Sequence, residues 1–112
     1  NKMTLIHDEL QFDVEDLQDL DDTFTTIIRA GLYAFKARIV ERGDILIPSK
    51  IWAKYVSDYR KLTEEQERDA TVEWLSTIDQ MIEGFKPESV MTKTDKIEGR
   101  CLFAEYFHNL WS

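Results

Sequence analysis

The chain has 112 residues, of which 43% are hydrophobic and 32% charged, with four Gly and two Pro; this length supports one hydrophobic core, and the composition excludes a disordered or fibrous chain. The formal net charge of −8 repels nucleic-acid phosphates and anionic lipid, and favours a basic protein surface. We therefore expect one globular domain over residues 1–112 that binds neither nucleic acid nor membrane directly.

The single cysteine, Cys101, excludes an intrachain disulfide and gives no sign of an oxidising compartment. The sequence contains neither a basic, apolar leader pattern nor an apolar run of membrane-spanning length. We expect no signal peptide and no membrane span, and hence a cytoplasmic location.

Acidic residues are concentrated at the start of the chain. Residues 1–28 hold eight acids and one base, whereas residues 29–112 hold 14 acids and 13 bases. In the first 21 residues the apolar side chains are spread between acids without a regular period. The pattern predicts an acidic, partly irregular arm over 1–21 with a short helical turn near 14–20, and it shows no hairpin signal.

The next segment predicts a helix from 22 to about 42. Its apolar residues recur at helical steps, with Asp21 or Asp22 as the cap and Gly43 as the stop. The residues of this stripe are Phe24, Ile27, Ile28, Leu32, Phe35 and Ile39.

An extended stretch before Pro48 follows, because the residue preceding a proline avoids the helical conformation. A second helix is predicted over 49–61. Its apolar face consists of Ile51, Trp52, Tyr55, Val56 and Tyr59.

The third predicted helix begins at a capping box formed by Thr63 and Gln66 and ends at Gly84. A long apolar stripe runs along it. The stripe comprises Ala70, Trp74, Leu75, Ile78, Met81, Ile82 and Phe85.

A second capping box, Asp95 with Glu98, predicts the start of a fourth helix that runs to the end of the chain. Its expected inward face includes Trp111, and we expect Trp52, Trp74 and Trp111 all to lie in the core. The sequence thus predicts an all-α fold, a small bundle of about four helices over 22–112. The inward face of the last helix comprises Ile97, Leu102, Phe103, Tyr106, Phe107, Leu110 and Trp111.

Glu105 and His108 have the Glu-x-x-His spacing that di-metal bundles use for two ligands. Such a site needs a second copy of the motif, and the other histidine, His7, has no glutamate three residues before it. Polar residues on the solvent side of an amphipathic helix explain this pair better. We predict no metal, no cofactor and no catalytic residue.

Four carboxylates invite comparison with the all-α nucleotide pyrophosphohydrolases, which present acids to magnesium. Glu64 and Glu67 fall in a first helical turn, where the helix dipole alone favours acids, and Asp79 with Glu83 does not reproduce the rest of that family's pattern. A magnesium-dependent pyrophosphohydrolase remains an alternative function.

The segment "DVEDLQDLDD" lacks the glycine and the closing glutamate of a calcium-binding EF-hand loop. A solvated acidic face is the simplest interpretation. A more specific hypothesis is that this segment forms a binding surface for a basic protein partner, since acids and apolar residues alternate there. Its predicted partner-binding residues are Asp13, Glu15, Asp16, Asp19, Asp21 and Asp22.

Three segments resemble a family of small uncharacterised proteins of tailed bacteriophages. They are "LDDTFTTIIRAGLYAFK" (20–36), "VEWLSTIDQMIEGF" (72–85) and "EGRCLFAEYFHNLWS" (98–112). The family pattern has a tryptophan-led helix followed by a Glu-Gly helix that finishes in Tyr-Phe-x-x-Leu-Trp. The matching residues are Leu20, Asp21, Phe35, Trp74, Asp79, Met81, Ile82, Phe85, Glu98, Gly99, Leu102, Phe103, Tyr106, Phe107, Leu110 and Trp111.

The resemblance implies a phage origin and no known reaction, cofactor or catalytic residue. Residues 42–65 and the acidic arm depart from the family pattern. Of the polar matches, Asp79 and Glu98 are expected to hold a helix end or to pair with an arginine such as Arg29 or Arg38. The other interpretation of these two acids is a shared polar pocket.

These observations predict a phage-type accessory protein that binds a basic protein surface through its acidic N-terminal region, in the cytoplasm of the host cell. The alternatives are the pyrophosphohydrolase and a virion or packaging component. The sequence does not determine the oligomeric state.

Overall fold

The computed structural model describes residues 4–7, 10–43, 46–55, 63–87 and 92–111. Strands β1 (Thr4–His7) and β2 (Leu10–Asp13) and a short helix α1 (Val14–Gln18) form the arm. The body contains α2 (Leu20–Arg42), α3 (Ser49–Trp52), α4 (Glu64–Gly84) and α5 (Lys93–Glu105), followed by a 3-10 turn at Phe107–Asn109. The predicted small all-α bundle is confirmed.

The arm contains an antiparallel hairpin that the sequence analysis did not predict. Leu5 lies opposite Phe12, and Thr4 lies opposite Asp13. The chain has Asp-Glu between the two strands, whereas the recognisable signal for a tight hairpin is Asn-Gly or Asp-Gly. The short helical turn predicted near 14–20 is confirmed by α1.

Helix α2 begins two residues earlier than predicted. Its cap is Asp19, whose side chain makes no capping hydrogen bond, so the assignment of the cap to Asp21 or Asp22 is wrong. Both of those acids lie in the first turn, where their negative charges interact favourably with the positive end of the helix dipole. The predicted stop is confirmed: Gly43 adopts a φ of 68°, and its N–H donates to the Ile39 carbonyl at 3.1 Å.

Helix α3 is shorter than predicted. It ends at Trp52 and continues as a turn through Tyr55, and the remaining predicted residues, 56–61, lie outside the described residues. Its fully buried Ile51 anchors it to the body.

The capping box of α4 is confirmed in both directions. The Gln66 N–H donates to the Thr63 hydroxyl at 3.2 Å, and the Thr63 N–H donates to the Gln66 side-chain oxygen at 3.0 Å. Gly84 is the last residue of the helix, but Gly43 is the residue with positive φ among the described glycines. Gly84 therefore does not end α4 by a left-handed turn.

Helix α5 begins before the predicted capping box. Thr92 caps it: its hydroxyl accepts from the Asp95 N–H at 3.2 Å and donates to the Asp95 carboxylate at 2.7 Å. The prediction that Asp95 and Glu98 form the box is therefore wrong, because Asp95 is the third residue of the helix, not its cap.

The core is centred on Trp74, which is fully buried between the rings of Phe35 and Tyr106 at centroid distances of 6.5 and 5.5 Å. Within the described residues its indole N–H has no hydrogen-bond partner. Burial of this ring thus depends on packing alone. The other buried hydrophobic residues are Leu32, Ile39, Ile51, Ala70, Ile78, Met81, Ile82, Phe85 and Tyr106.

The end of the chain follows the predicted inward face in part. Tyr106 is buried, and Leu102, Phe103 and Leu110 pack against the core. Ile97, Phe107 and Trp111 are 54%, 55% and 62% exposed, so their expected burial is wrong. For Phe107 and Trp111 the reason is that the helix ends at Glu105 and a 3-10 turn follows, which breaks the 3.6-residue period beyond Tyr106. The end of the helix does not explain the exposure of Ile97, which lies within α5.

Helices α4 and α5 meet backbone to backbone at two glycines. A Cβ atom on Gly99 would lie 2.4 Å from the Gln80 carbonyl oxygen and 2.6 Å from the Gly84 nitrogen, and one on Gly84 would lie 2.8 Å from the Arg100 nitrogen. Both positions therefore exclude any side chain.

We expect Gly99→Ala to lower the free energy of unfolding by about 1–3 kcal/mol, the range for overpacking, because the clashing neighbours are backbone atoms. Urea unfolding measures this effect. The control is Gly31→Ala, since Gly31 lies in α2 with nothing within 4 Å of an added Cβ; it should gain about 0.5–1 kcal/mol. If the two variants were equally stable, the close backbone contact between α4 and α5 at Gly99 would be contradicted.

A polar contact joins the turn after α3 to α4. Lys54 Nζ and the Tyr55 hydroxyl donate to the two oxygens of Glu73 at 2.7 and 2.9 Å. The hydrogen bond from Lys54, assisted by that from Tyr55, holds the pKa of Glu73 below its ordinary 4.5. The same carboxylate raises the pKa of Lys54 and of Tyr55.

A carboxyl group with a lowered pKa in the folded state stabilises the fold above its ordinary pKa and loses that contribution as the pH falls. We expect Glu73→Gln to lower Tm at pH 7, and the deficit to shrink as the pH falls below the ordinary pKa of 4.5. Thermal unfolding between neutral pH and about pH 3 tests this. The exposed Glu98 supplies the control, Glu98→Gln. A deficit for Glu73→Gln that stays constant with pH would disprove the role of its charge.

Candidate interaction surface

The predicted partner-binding acids lie along the arm and the start of α2. Glu15, Asp19, Asp21 and Asp22 are exposed, Asp13 is half-buried at the end of β2, and the side chain of Asp16 lies outside the described residues. Asp13 and Glu15 already take part in interactions within the chain. Three of the exposed acids, Asp19, Asp21 and Asp22, lie at the beginning of α2.

Large apolar side chains are exposed beside these acids. Leu17 in α1 is 38% exposed, and Phe24 in α2 is 47% exposed. Phe24 lies one helical turn beyond Asp21, so the two residues share neighbouring positions on the helix surface. We refer to Glu15, Leu17, Asp19, Asp21, Asp22 and Phe24 as the acidic surface.

A groove opens between the start of α2, the residues that follow α4 and the first two turns of α5. Its volume is about 540 Å³. Asp21 and Asp22 belong to one wall, and the cations Lys86, Lys96 and Arg100 come from the other elements that enclose it. The acidic surface therefore borders a region of opposite charge, which we call the charged groove. The groove is completed by Phe24, Thr25, Ile28, Phe85 and Pro87.

Two arginines hold the end of α4 at this groove. Arg29 donates to the Phe85 carbonyl at 2.7 Å, and Arg100 Nε donates to the Gly84 carbonyl at 2.9 Å. The guanidinium of Arg100 also lies over the Phe85 ring, 5.5 Å from its centroid. The last carbonyls of a helix lack partners within the helix and carry negative partial charge, so cations are well placed here.

Lys86 lies next along the chain and pairs with Glu83 at 2.7 Å. The hydrogen bond to Glu83 raises the pKa of Lys86. Sequence reasoning missed Lys86, Lys96 and Arg100 as neighbours of the acidic surface, because 64 or more positions separate them from Asp22. No local pattern in the sequence links residues so far apart.

The structure places Asp79 and Glu98 in different surroundings. Asp79 pairs with Lys36 at 2.6 Å, not with Arg29 or Arg38. Glu98 is exposed and lines a separate polar depression of about 380 Å³ on α4 and α5. Asp79 is not among the described residues that line this depression, which are Gln80, Glu83, Asp95, Glu98 and Gly99.

The structure gives Glu105 and His108 different surroundings. Glu105, the last residue of α5, pairs with Lys50 of α3. His108 lies in the 3-10 turn with its ring against Phe107 at 5.6 Å. The described part of the chain contains no group of three or more His, Cys, Asp or Glu arranged to hold a metal ion.

The carboxylates compared with pyrophosphohydrolases are also separated. Glu64 and Glu67 lie in the first turn of α4, whereas Asp79 and Glu83 lie in its last two turns and pair with lysines. From Glu67 to Asp79 the helix rises by about 18 Å, at 1.5 Å per residue. This arrangement gives the enzyme alternative no support.

No model of a protein family, no curated protein and no solved structure matches this chain significantly. Among the described helices, none has the length and the apolar character needed to cross a membrane.

We expect Arg29→Met to lower the free energy of unfolding by about 1–3 kcal/mol, because it leaves the Phe85 carbonyl without its charged donor while keeping most of the aliphatic contact. Urea unfolding measures the change. Arg68→Met, at an exposed position of α4, is the matched control and should change stability by less than about 0.5 kcal/mol. A loss no larger than that of the control would contradict the role of Arg29.

Proposed function

We propose that this chain is a non-enzymatic accessory protein of bacteriophage type, which binds a protein partner with a basic surface through its acidic N-terminal region. In this proposal it works in the cytoplasm of the host cell. The phage origin rests on the resemblance of three segments. The binding role rests on the surface described above.

The observation that carries the binding role is the mixture of charge and apolar area on the acidic surface. Asp19, Asp21 and Asp22 are exposed beside Leu17 and Phe24. An interface uses charges to steer association and buried apolar contacts to hold it, and this surface offers both kinds of group.

The charged groove adds a criterion for the partner. Lys or Arg side chains on a partner would face Asp21 and Asp22, while a carboxylate on the partner would face Lys86 or Arg100 across the groove. A uniformly basic surface satisfies the first contact and is repelled by the second. The partner that fits best carries a basic patch with an acidic residue at its edge.

The test is capture of host proteins on the immobilised full chain, identification by mass spectrometry, and calorimetry with the purified partner. Four acids of the acidic surface are changed together: Glu15→Gln, Asp19→Asn, Asp21→Asn and Asp22→Asn. We expect the affinity to fall at least about tenfold, or about 1.4 kcal/mol. We also expect binding by the unmodified chain to weaken between low salt and about 0.3 M salt.

The matched control neutralises four exposed acids elsewhere: Glu41→Gln, Glu64→Gln, Glu65→Gln and Glu98→Gln. Either set removes four charges, so the net charge changes from −8 to −4 in both variants. The control should bind within about twofold of the unmodified chain, a difference of about 0.4 kcal/mol. Undiminished capture by the first variant, or equal losses in both, would overturn the proposal.

A further inference from the structure

The charged groove contains an arginine whose hydrogen-bonding capacity is largely unused. Arg100 lines the groove from α5. Its Nε donates to the Gly84 carbonyl at 2.9 Å, and its guanidinium lies over the Phe85 ring. Its two terminal nitrogens, which carry four of the five N–H groups, make no hydrogen bond within the described residues. Arg100 is therefore held in place on one side and has free donors on the other.

The lysines that line the groove are already engaged. Lys86 pairs with Glu83 at 2.7 Å. Lys96 takes part in an interaction within the chain and is 9% exposed. Because Lys96 lies one helical turn before Arg100, the two residues share one face of α5. Their positive charges add up in the groove and attract an anion to the arginine.

Apolar side chains lie beside this arginine. The buried Phe85 and the half-buried Ile28 line the same groove. The groove volume of about 540 Å³ falls within the roughly 300–1,000 Å³ of ligand pockets. A group bound at Arg100 therefore meets both charged donors and apolar surface. The site fits an anion attached to an apolar body better than an isolated ion.

The acids on the other wall select the kind of anion. Asp21 and Asp22 are exposed and line this groove. A phosphate monoester carries about 1.5–2 negative charges at pH 7 and is repelled by these acids. A carboxylate carries one charge, and arginine binds it through two parallel hydrogen bonds. A Lys or Arg on the same ligand would pair with Asp21 or Asp22, so the ligand that fits best carries a carboxylate, an apolar group and a cation.

We propose that the charged groove binds the C-terminal end of the protein partner, with an apolar last residue and a Lys or Arg shortly before it. A chain end carries a carboxylate and a side chain on one residue, so that residue contacts both Arg100 and Phe85. Capture of a C-terminal carboxylate is an established mode of peptide recognition. This inference rests on the proposed function, since it names the carboxylate with which the basic partner enters the groove.

Calorimetry of the full chain with two short peptides tests the role of the chain end. The probe is acetyl-Ala-Lys-Ala-Phe with a free carboxylate, and its control is the same peptide with a C-terminal amide. We expect a Kd below about 1 mM for the acid and at least about tenfold weaker binding of the amide, which cannot form the charge-assisted pair. Equal binding of the two peptides, or no binding of the acid at about 1 mM, would overturn the proposal.

A substitution then places the carboxylate at the arginine. Arg100→Gln should weaken binding of the acid about tenfold and abolish its advantage over the amide. Lys93→Gln, at an exposed position of α5 outside the groove, removes the same charge and should change the affinity by less than about twofold. Far-UV circular dichroism verifies that both variants are folded, because Arg100 also holds the Gly84 carbonyl. An undiminished preference for the acid in Arg100→Gln, or an equal loss in Lys93→Gln, would overturn the proposal.

Two further arms examine the other parts of the ligand. A peptide with Gln in place of Lys should bind more weakly than the probe, and Asp22→Asn should remove that difference. An equal difference in the unmodified chain and in Asp22→Asn would overturn the placement of the cation. Inorganic phosphate should compete no better than sodium chloride at the same ionic strength. Stronger competition by phosphate would assign the groove to phosphorylated ligands and overturn the proposal.

The two proposals fail separately. The peptide experiment uses this chain alone, and Arg100 is not among the acids changed in the capture experiment. Capture that depends on the acidic surface, combined with equal binding of acid and amide, would overturn the role of the chain end and leave the proposed function intact. A preference for the acid, combined with capture that does not depend on the acidic surface, would overturn the proposed function and keep the groove as a site for a carboxylate end.

Discussion

The backbone contact between Gly84 and Gly99 is the constraint on which the rest of this structure depends. With no Cβ on either side, α5 lies directly on the last turns of α4. This position brings the Arg100 guanidinium to the Gly84 carbonyl and over the Phe85 ring. It also sets Tyr106 against Trp74, the centre of the core. A helix pair separated by even one methyl group would lose these contacts together.

The charge of the molecule is distributed in two different ways. In the body, several acids pair with lysines, as in the pairs Asp79 with Lys36 and Glu73 with Lys54. At the start of α2 the acids are exposed, and cations of other elements line the charged groove together with Asp21 and Asp22. Residues 1–28 hold eight acids and one base, so most of the net charge of −8 belongs to the first quarter of the chain.

Features that depend on neighbouring residues could be predicted from the sequence, and features that depend on distant ones could not. The Thr63–Gln66 box and the Gly43 stop follow from local backbone chemistry. The start of α5 could not be predicted correctly, because two possible capping boxes overlap at Asp95. One pairs Thr92 with Asp95, as observed, and the other pairs Asp95 with Glu98. The exposure of Trp111 and Phe107 depends on where the last helix ends, and periodicity alone does not reveal that. The cations of the charged groove come from α5 and from the segment after α4, far from α2 along the chain, so sequence spacing does not reveal them.

The glycine contact also bears on how this protein changes over evolutionary time. Surface positions drift freely, whereas a position without room for a methyl group accepts no other residue unless the helices separate. Gly84 precedes Gly99 by fifteen positions along the chain. Two glycines at that interval on successive helices, with a tryptophan ten positions before the first, form a fingerprint that should outlast overall sequence similarity and identify remote relatives.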